Sequence, residues 1–315
     1  MAPSITIDRR SFLKTTGAAA AFAALPPFAR AAQPPAPASF QFAFLTDTHI
    51  EPELNAPQGC DLAFRKIAAF KPDFAIMGGD HVYDANAVDA TRANLVFDLY
   101  KKTEQALQMP LHHTIGNHDI FGVNQKSGIA TSDPAYGKKM FQDRIGRTYY
   151  SFDHKGHHFI ILDSIQPTED RQWEARIDDA QLAWLTEDLK KAGAATPTIL
   201  STHVPLVSAF PTYANDYAPN TDKYSRATIA NSTEVLAAFE GHNVLAVLQG
   251  HMHINESVHY KGIQFLTCGA VCGNWWHGPR MGFPEGFTIV TLSAGKLSTR
   301  YEPTGFQSPD IRDKF

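Results

Sequence analysis

From Phe40 onward, short apolar runs end in polar clusters and alternate with longer stretches of helical period. "FQFAFLTDTH" reads as a strand ending at Asp47, "DFAIMGGD" (Asp73–Asp80) as a short buried strand, and "LHHTIGNHD" (Leu111–Asp119) as a third with a polar end. "YYSFDHKGHHFIILDS" (Tyr149–Ser164) predicts a hairpin turning at Lys155-Gly156. "TILSTHVP" (Thr198–Pro205) and "NVLAVLQGHMH" (Asn243–His253) predict two more strands. Helices are expected over about 61–70, 89–107, 179–191 and 233–239, and four short strands between Glu256 and Tyr301. Phe121–Arg147 and Val207–Ser225 follow neither period and read as long loops. The pattern is α/β with added hairpins. With no internal repeat and no linker after "QPPAPAS" (Gln33–Ser39), residues 41–315 read as one domain, preceded by a connector over 32–40.

Asp47, Asp80, Asn117, His203 and His251 each close an apolar run. Loops at the carboxyl ends of strands build ligand sites in α/β sheets. Taken singly, Asp47 and Asp80 serve equally well as helix caps, Asn117 as a turn residue, and His203 as a satisfied core histidine. In order, the ends read "TDTH", "GGDHVYD", "GNHD", "STHVP" and "QGHMH". Imidazoles, carboxylates and one amide oxygen suit zinc, manganese or iron. Seven candidate ligands (Asp47, His49, Asp80, Asn117, His203, His251, His253) exceed what one tetrahedral ion needs, which favours two ions sharing a carboxylate. His251 and His253 reach one side of the chain if the extended geometry of "VLAVLQ" continues past Gln249.

Composition narrows the classes. The 315 residues are 43% hydrophobic with a formal charge of −4, which argues against a stable nucleic-acid complex. Three cysteines are too few for a disulfide scaffold; Cys268 and Cys272 are the pair that a bent backbone would let bridge. Residues 1–31 resemble a twin-arginine export signal: Arg9-Arg10, then Ser11-Phe12-Leu13-Lys14, an Ala-rich run, and a cleavage point after Ala31. Such a signal implies the twin-arginine machinery as partner and a periplasmic or otherwise exported product. The run is too short and Ala-rich for a convincing membrane span, so none is expected in the mature chain. Its removal takes away a net +3 and leaves about −7.

D-x-H, G-D, G-N-H-D, H and G-H-x-H, in this order from Phe42 to His253, resemble the calcineurin-like metallophosphoesterases. The resemblance implies a four-layer α/β/β/α sandwich and hydrolysis of a phosphoric ester by a metal-bridging hydroxide. It also implies two divalent or mixed-valence ions (Mn, Fe or Zn). Carried over by residue, Asp47, His49 and His253 hold one ion, Asn117, His203 and His251 the other, and Asp80 bridges. His118 then sits beside the phosphate as general acid or charge stabiliser, oriented by Asp119. G-D-x-x-Y resembles the purple acid phosphatase branch, whose tyrosine ligates iron; that branch has glycine where this chain has His49. We read His49 as the ligand and Tyr83 as packing beside it.

"CGAVCGNWWHGPR" (Cys268–Arg280) offers Trp275, Trp276, His277 and Arg280 as either a core edge or an aromatic and cationic wall for the ester. Together with G-N-H-D, these features lean toward a small-molecule or nucleotide phosphodiester as substrate. A phosphomonoesterase is the first rival, and a metal-binding protein without turnover the second.

Overall fold

The computed structural model describes residues 39–214 and 224–312, so the twin-arginine segment and nearly all of the connector lie outside the described residues. In chain order the strands begin with β1 (Phe40–Leu45), β2 (Ala75–Met77), β3 (Leu111–His113), β4 (Tyr150–His154), β5 (His157–Ile161), β6 (Ile165–Pro167) and β7 (Trp173–Ala175). They continue with β8 (Thr198–Thr202), β9 (Val244–Gln249), β10 (Glu256–Tyr260), β11 (Ile263–Thr267), β12 (Gly286–Ser293) and β13 (Lys296–Pro303). A five-stranded sheet runs β13-β12-β1-β2-β3 and a six-stranded sheet runs β10-β11-β9-β8-β5-β4. The central pairs β1–β2, β2–β3, β5–β8, β8–β9 and β9–β11 are parallel.

Alternation in "FQFAFL" sends Phe40, Phe42 and Phe44 to one face of β1 and Ala43 and Leu45 to the other. The phenylalanines join Phe74, Ile76, Phe159, Ile161, Ile199 and Leu248 in a buried layer shared by the two sheets. Phe42 stacks on Phe74 at 5.0 Å and meets Phe159 edge-on at 5.4 Å. Each such ring contributes on the order of 1.5–3 kcal/mol, so the sheets form a stiff base for the loops they carry.

Residues on the opposite faces cluster instead with helical side chains: Cys60, Phe64 and Ile67 of α1 (Ala56–Phe70), Val96, Phe97 and Tyr100 of α2 (Ala90–Thr103), and Leu185 and Leu189. These last two belong to α4 (Asp179–Ala192), which follows the short α3 (Lys139–Arg144); α5 spans Ser232–Ala238. Helices thus cover the outer faces of a two-sheet core. Among the described residues, no helix is long and apolar enough to cross a membrane.

Element boundaries depart from expectation where local chemistry overrides period. Helix α1 starts early because Asn55 turns the chain at φ 58° and a proline occupies the first turn, where its missing N–H has no helical partner to lose. Asp89 and Asp178 cap α2 and α4 by accepting from Arg92 N and Gln181 N. The stretch 121–147 is not wholly irregular, since it contains α3. Hairpin β6–β7 was not expected: its strands have three residues each, too few to show a period.

Candidate metal centre and active site

All seven expected ligands follow strand ends. Asp47 and His49 come after β1, Asp80 after β2, Asn117 after β3, His203 directly after β8, and His251 and His253 after β9. The loops are tied together by Asp47 N to Gly79 O (2.9 Å), His49 N to Asp80 O (3.1 Å) and Gly250 N to His203 O (2.9 Å). Gly116 is required by space: a Cβ there would collide with the backbone and carboxylate of Asp80.

Extended geometry does not continue past Gln249. His251 and His253 have φ of 70° and 57°, and Asp47, His49 and Asp80 have 55°, 38° and 54°. Left-handed backbone at a non-glycine residue costs roughly 1–3 kcal/mol. These turns, rather than strand alternation, aim the side chains.

The carboxylates divide their oxygens. Asp80 Oδ1 accepts from His118 N (2.8 Å), while Oδ2 lies 3.4 Å from His49 Nε2 and 3.1 Å from His203 Nε2. Asp47 Oδ2 takes the Thr46 hydroxyl (2.6 Å) and His251 N (3.0 Å). Its Oδ1 faces His253 Nε2 at 3.3 Å, His49 Nε2 at 3.8 Å and His203 Nε2 at 3.9 Å. Three histidines have their other nitrogen on a carbonyl: His203 Nδ1 on Gly78 O (2.9 Å), His251 Nε2 on Arg226 O (3.0 Å) and His253 Nδ1 on Gly273 O (2.7 Å). A ring that donates there keeps a lone pair on the nitrogen that faces the site.

Cations fit this donor set. His49 Nε2, His203 Nε2 and Asn117 Oδ1 are buried and lack a hydrogen-bond partner among the described residues, a costly state unless something else binds them. Ligand atoms of Asp80, His203 and His251 fall within 4.8 Å of one another. The same holds for His49, Asp80 and His118, and for His49, His253 and Cys272.

Electrostatics agree with cation binding. Burial opposes a charged His203, but Asp80 and Asp47 outweigh it and hold its pKa up at about 9. Burial also works against an ionised Asp80, yet His203, His118 and His49 pull it well below the carboxylate range. Metal-free protein is therefore expected to carry a proton on His203 that a metal must displace. Calorimetric titration with Mn²⁺ in buffers of different ionisation enthalpy should show this proton released near pH 7 and none released well above pH 9. A buffer-independent enthalpy at neutral pH would refute it. Linkage has the matching sign: the raised pKa stabilises metal-free protein fully below about 6.5, and that stability is lost as pH rises through about 9.

Several expected roles are corrected. Asp119 does not face the His118 ring. Its carboxylate is taken by His81 Nδ1 (2.8 Å), His81 N (2.9 Å) and Gly116 N (2.9 Å), stapling the loops of Asp80 and Asn117. The acid beside His118 Nδ1 is Asp84, at 3.7 Å, which is ion-pair distance but too long for a hydrogen bond. Trp276 is fully buried and cannot wall a substrate; its Nε1 donates to the carbonyls of Thr48 and His49. His277 Nδ1 meets Asp310 O (3.0 Å) and Arg280 Nε donates to Met252 O (3.3 Å), contacts that leave their expected place beside the ester untested. Cys268 and Cys272 are free, and burial raises both thiols.

Trp275 does stand at the site, 3.9 Å ring to ring from His49, 5.0 Å from His118 and 5.5 Å from Tyr83. Burial, Glu51 and Asp84 raise the Tyr83 hydroxyl in the metal-free protein. Sequence reasoning missed Thr46, Asp84 and Gln249. Gln249 accepts from Leu206 N (2.8 Å) and donates to Val207 O (3.0 Å), pinning the chain beyond His203. The only signal for them was adjacency to the motifs.

Comparisons with known proteins agree. The calcineurin-like phosphoesterase family profile matches residues 40–255, and the twin-arginine translocation signal profile matches residues 6–26, which indicates export. The serine/threonine-protein phosphatase CPPED1 of Bos taurus is 27% identical over 235 residues, covering 73% of this chain and 67% of the relative. A dimetal phosphatase from Danio rerio shares the fold at TM-score 0.58 and 14% identity, over 82% of this chain and 98% of its own. A purple acid phosphatase from yellow lupin (Lupinus luteus) seeds does so at TM-score 0.56 and 13% identity, over 87% and 53%. With the profile spanning most of the chain and the ordered motifs converging at one set of strand ends, this protein belongs to the calcineurin-like phosphoesterase family of hydrolases acting on phosphoric esters.

Proposed function

We propose that the protein is an exported, binuclear metal-dependent phosphodiesterase acting on a small molecule or nucleotide, and that it works in the periplasm. The observation that carries the binuclear reading is the pair His49 Nε2 and His203 Nε2, buried, without a hydrogen bond among the described residues, and both within 3.4 Å of Asp80 Oδ2. Asp47, His49 and His253 would hold one ion, Asn117, His203 and His251 the second, and Asp80 both. Such a pair of ions supplies an activated water and neutralises the phosphate.

The chain supplies the rest. His118 is anchored through its backbone N–H to Asp80 Oδ1, and its side chain is 25% exposed. That position suits protonation of the departing alkoxide. Trp275 and Tyr83, half-buried and meeting edge to face, offer an aromatic corner to the alcohol portion of an ester, which favours an organic diester over a bare phosphate. Comparing bis(p-nitrophenyl) phosphate with p-nitrophenyl phosphate tests this: the diester should give the higher kcat/KM. The reverse order assigns a phosphomonoesterase, the reading that G-D-x-x-Y favours.

A further inference from the structure

We infer that the corner between Trp275 and Tyr83 receives a cationic alcohol: the ester cleaved here is a phosphodiester of a choline-type amino alcohol, and that alcohol leaves beside His118. The inference rests on the phosphodiesterase reading and names its substrate class.

Two ring planes form the corner. Trp275 meets Tyr83 at 5.5 Å with 73° between planes, and it lies 5.0 Å from the His118 ring. Both side chains are half-buried, so each keeps some surface open. Planes this steep enclose a space walled by ring faces, and the face is the negative side of an aromatic π-system. A cation seated there is attracted to both walls.

The chain around the corner adds negative charge. Residues 49–51 run alongside residues 81–83, bridged at Ile50 and Val82, with Tyr83 N donating to Ile50 O (3.0 Å). This register sets the buried Glu51 beside Tyr83. Asp84 follows Tyr83 and lies 3.7 Å from His118 Nδ1. The cation nearby is Arg92, and it is held by carboxylates: Glu51 at 3.1 Å and both oxygens of Glu53 at 3.1 and 2.6 Å. Two carboxylates face one guanidinium, and Asp84 stands besides, so the surroundings are net negative. The Tyr83 hydroxyl feels this field, since burial, Glu51 and Asp84 raise it against the pull of Arg92. A neutral alcohol gains nothing from such charge, and an anionic one is repelled. A quaternary ammonium is weakly hydrated, gives up little water on entry, and is the cation that aromatic walls recognise best.

The placement beside His118 fixes which bond breaks. The oxygen of water adds to phosphorus, the P–O bond to the amino alcohol breaks, and the departing oxygen takes the proton held by His118. Choline is then released and a phosphomonoester remains.

The test uses Mn²⁺-loaded protein and two pairs of esters. Glycerophosphocholine and dihexanoyl phosphatidylcholine are each compared with the analogue in which an uncharged 3,3-dimethylbutyl group replaces choline. At least one choline ester should show kcat/KM about 5–30-fold above its analogue, chiefly through KM, with choline as product. The pair that shows it distinguishes a soluble diester from a lipid headgroup. In Trp275→Leu, which keeps apolar bulk without a ring face, the ratio should fall toward one. Being a ratio, it does not change when fewer molecules carry metal. Equal values in both pairs overturn the inference, as does release of phosphocholine in place of choline. An undiminished ratio in Trp275→Leu does the same, as does failure to cleave either choline ester by protein that hydrolyses bis(p-nitrophenyl) phosphate. If that variant does not fold, the wild-type ratios and product decide. Hydrolysis of p-nitrophenyl phosphate with no diester cleaved overturns the phosphodiesterase reading itself.

Discussion

Asp80→Asn is expected to lower kcat/KM by at least 10²–10³-fold, the scale for removing one group preorganised against developing charge, and to reduce bound metal below two ions. The substitution keeps shape, so the loss would be electrostatic. Asp80 Oδ1 accepts from His118 N, and Oδ2 lies between His49 Nε2 and His203 Nε2. An asparagine oriented to accept from His118 N turns its NH₂ toward the ions; flipped, it sets that NH₂ against the His118 N–H. Neither arrangement provides a shared anionic oxygen. Elemental analysis with steady-state kinetics checks it, and near-normal turnover with two ions bound would sink the assignment of Asp80 as bridge.

His118→Ala should cost about 10²–10⁴-fold, the usual range for a general acid, while both ions remain bound. The effect should depend on the leaving group. A nitrophenolate departs without much help, whereas an alkoxide needs a proton, so alkyl diesters should lose far more than nitrophenyl diesters. Equal losses on both would remove the general-acid role. Metal loss in the variant would make His118 a ligand instead, a role its proximity to His49 and Asp80 also permits.

Much of the fold was legible because strand ends coincide with changes in polarity. "VLAVLQ" is β9 without adjustment, and the Lys155-Gly156 turn joins β4 to β5 as expected. The gathering of the candidate ligands was equally legible, since five of the seven stood where apolar runs stopped. What could not be read was which buried groups meet. Asp119 is adjacent to His118 in sequence, yet its partner is His81, because the loops after β2 and β3 cross there. Trp275 and Trp276 look alike in the chain, but one lies on His49 and the other beneath its backbone. Consecutive left-handed residues send their side chains in different directions, and the flanking Gly273 and Gly278 mark the loop without telling which indole turns inward.

The left-handed backbone at Asp47, His49, Asp80, His251 and His253 has a consequence for engineering. At these five places the backbone favours glycine and the chemistry forbids it. A selection for thermal stability alone would be drawn to them first, since glycine relieves the strain and removes a buried polar group together. Its winners would be robust, well folded and inert, so any stabilisation campaign on this scaffold must score turnover in every round.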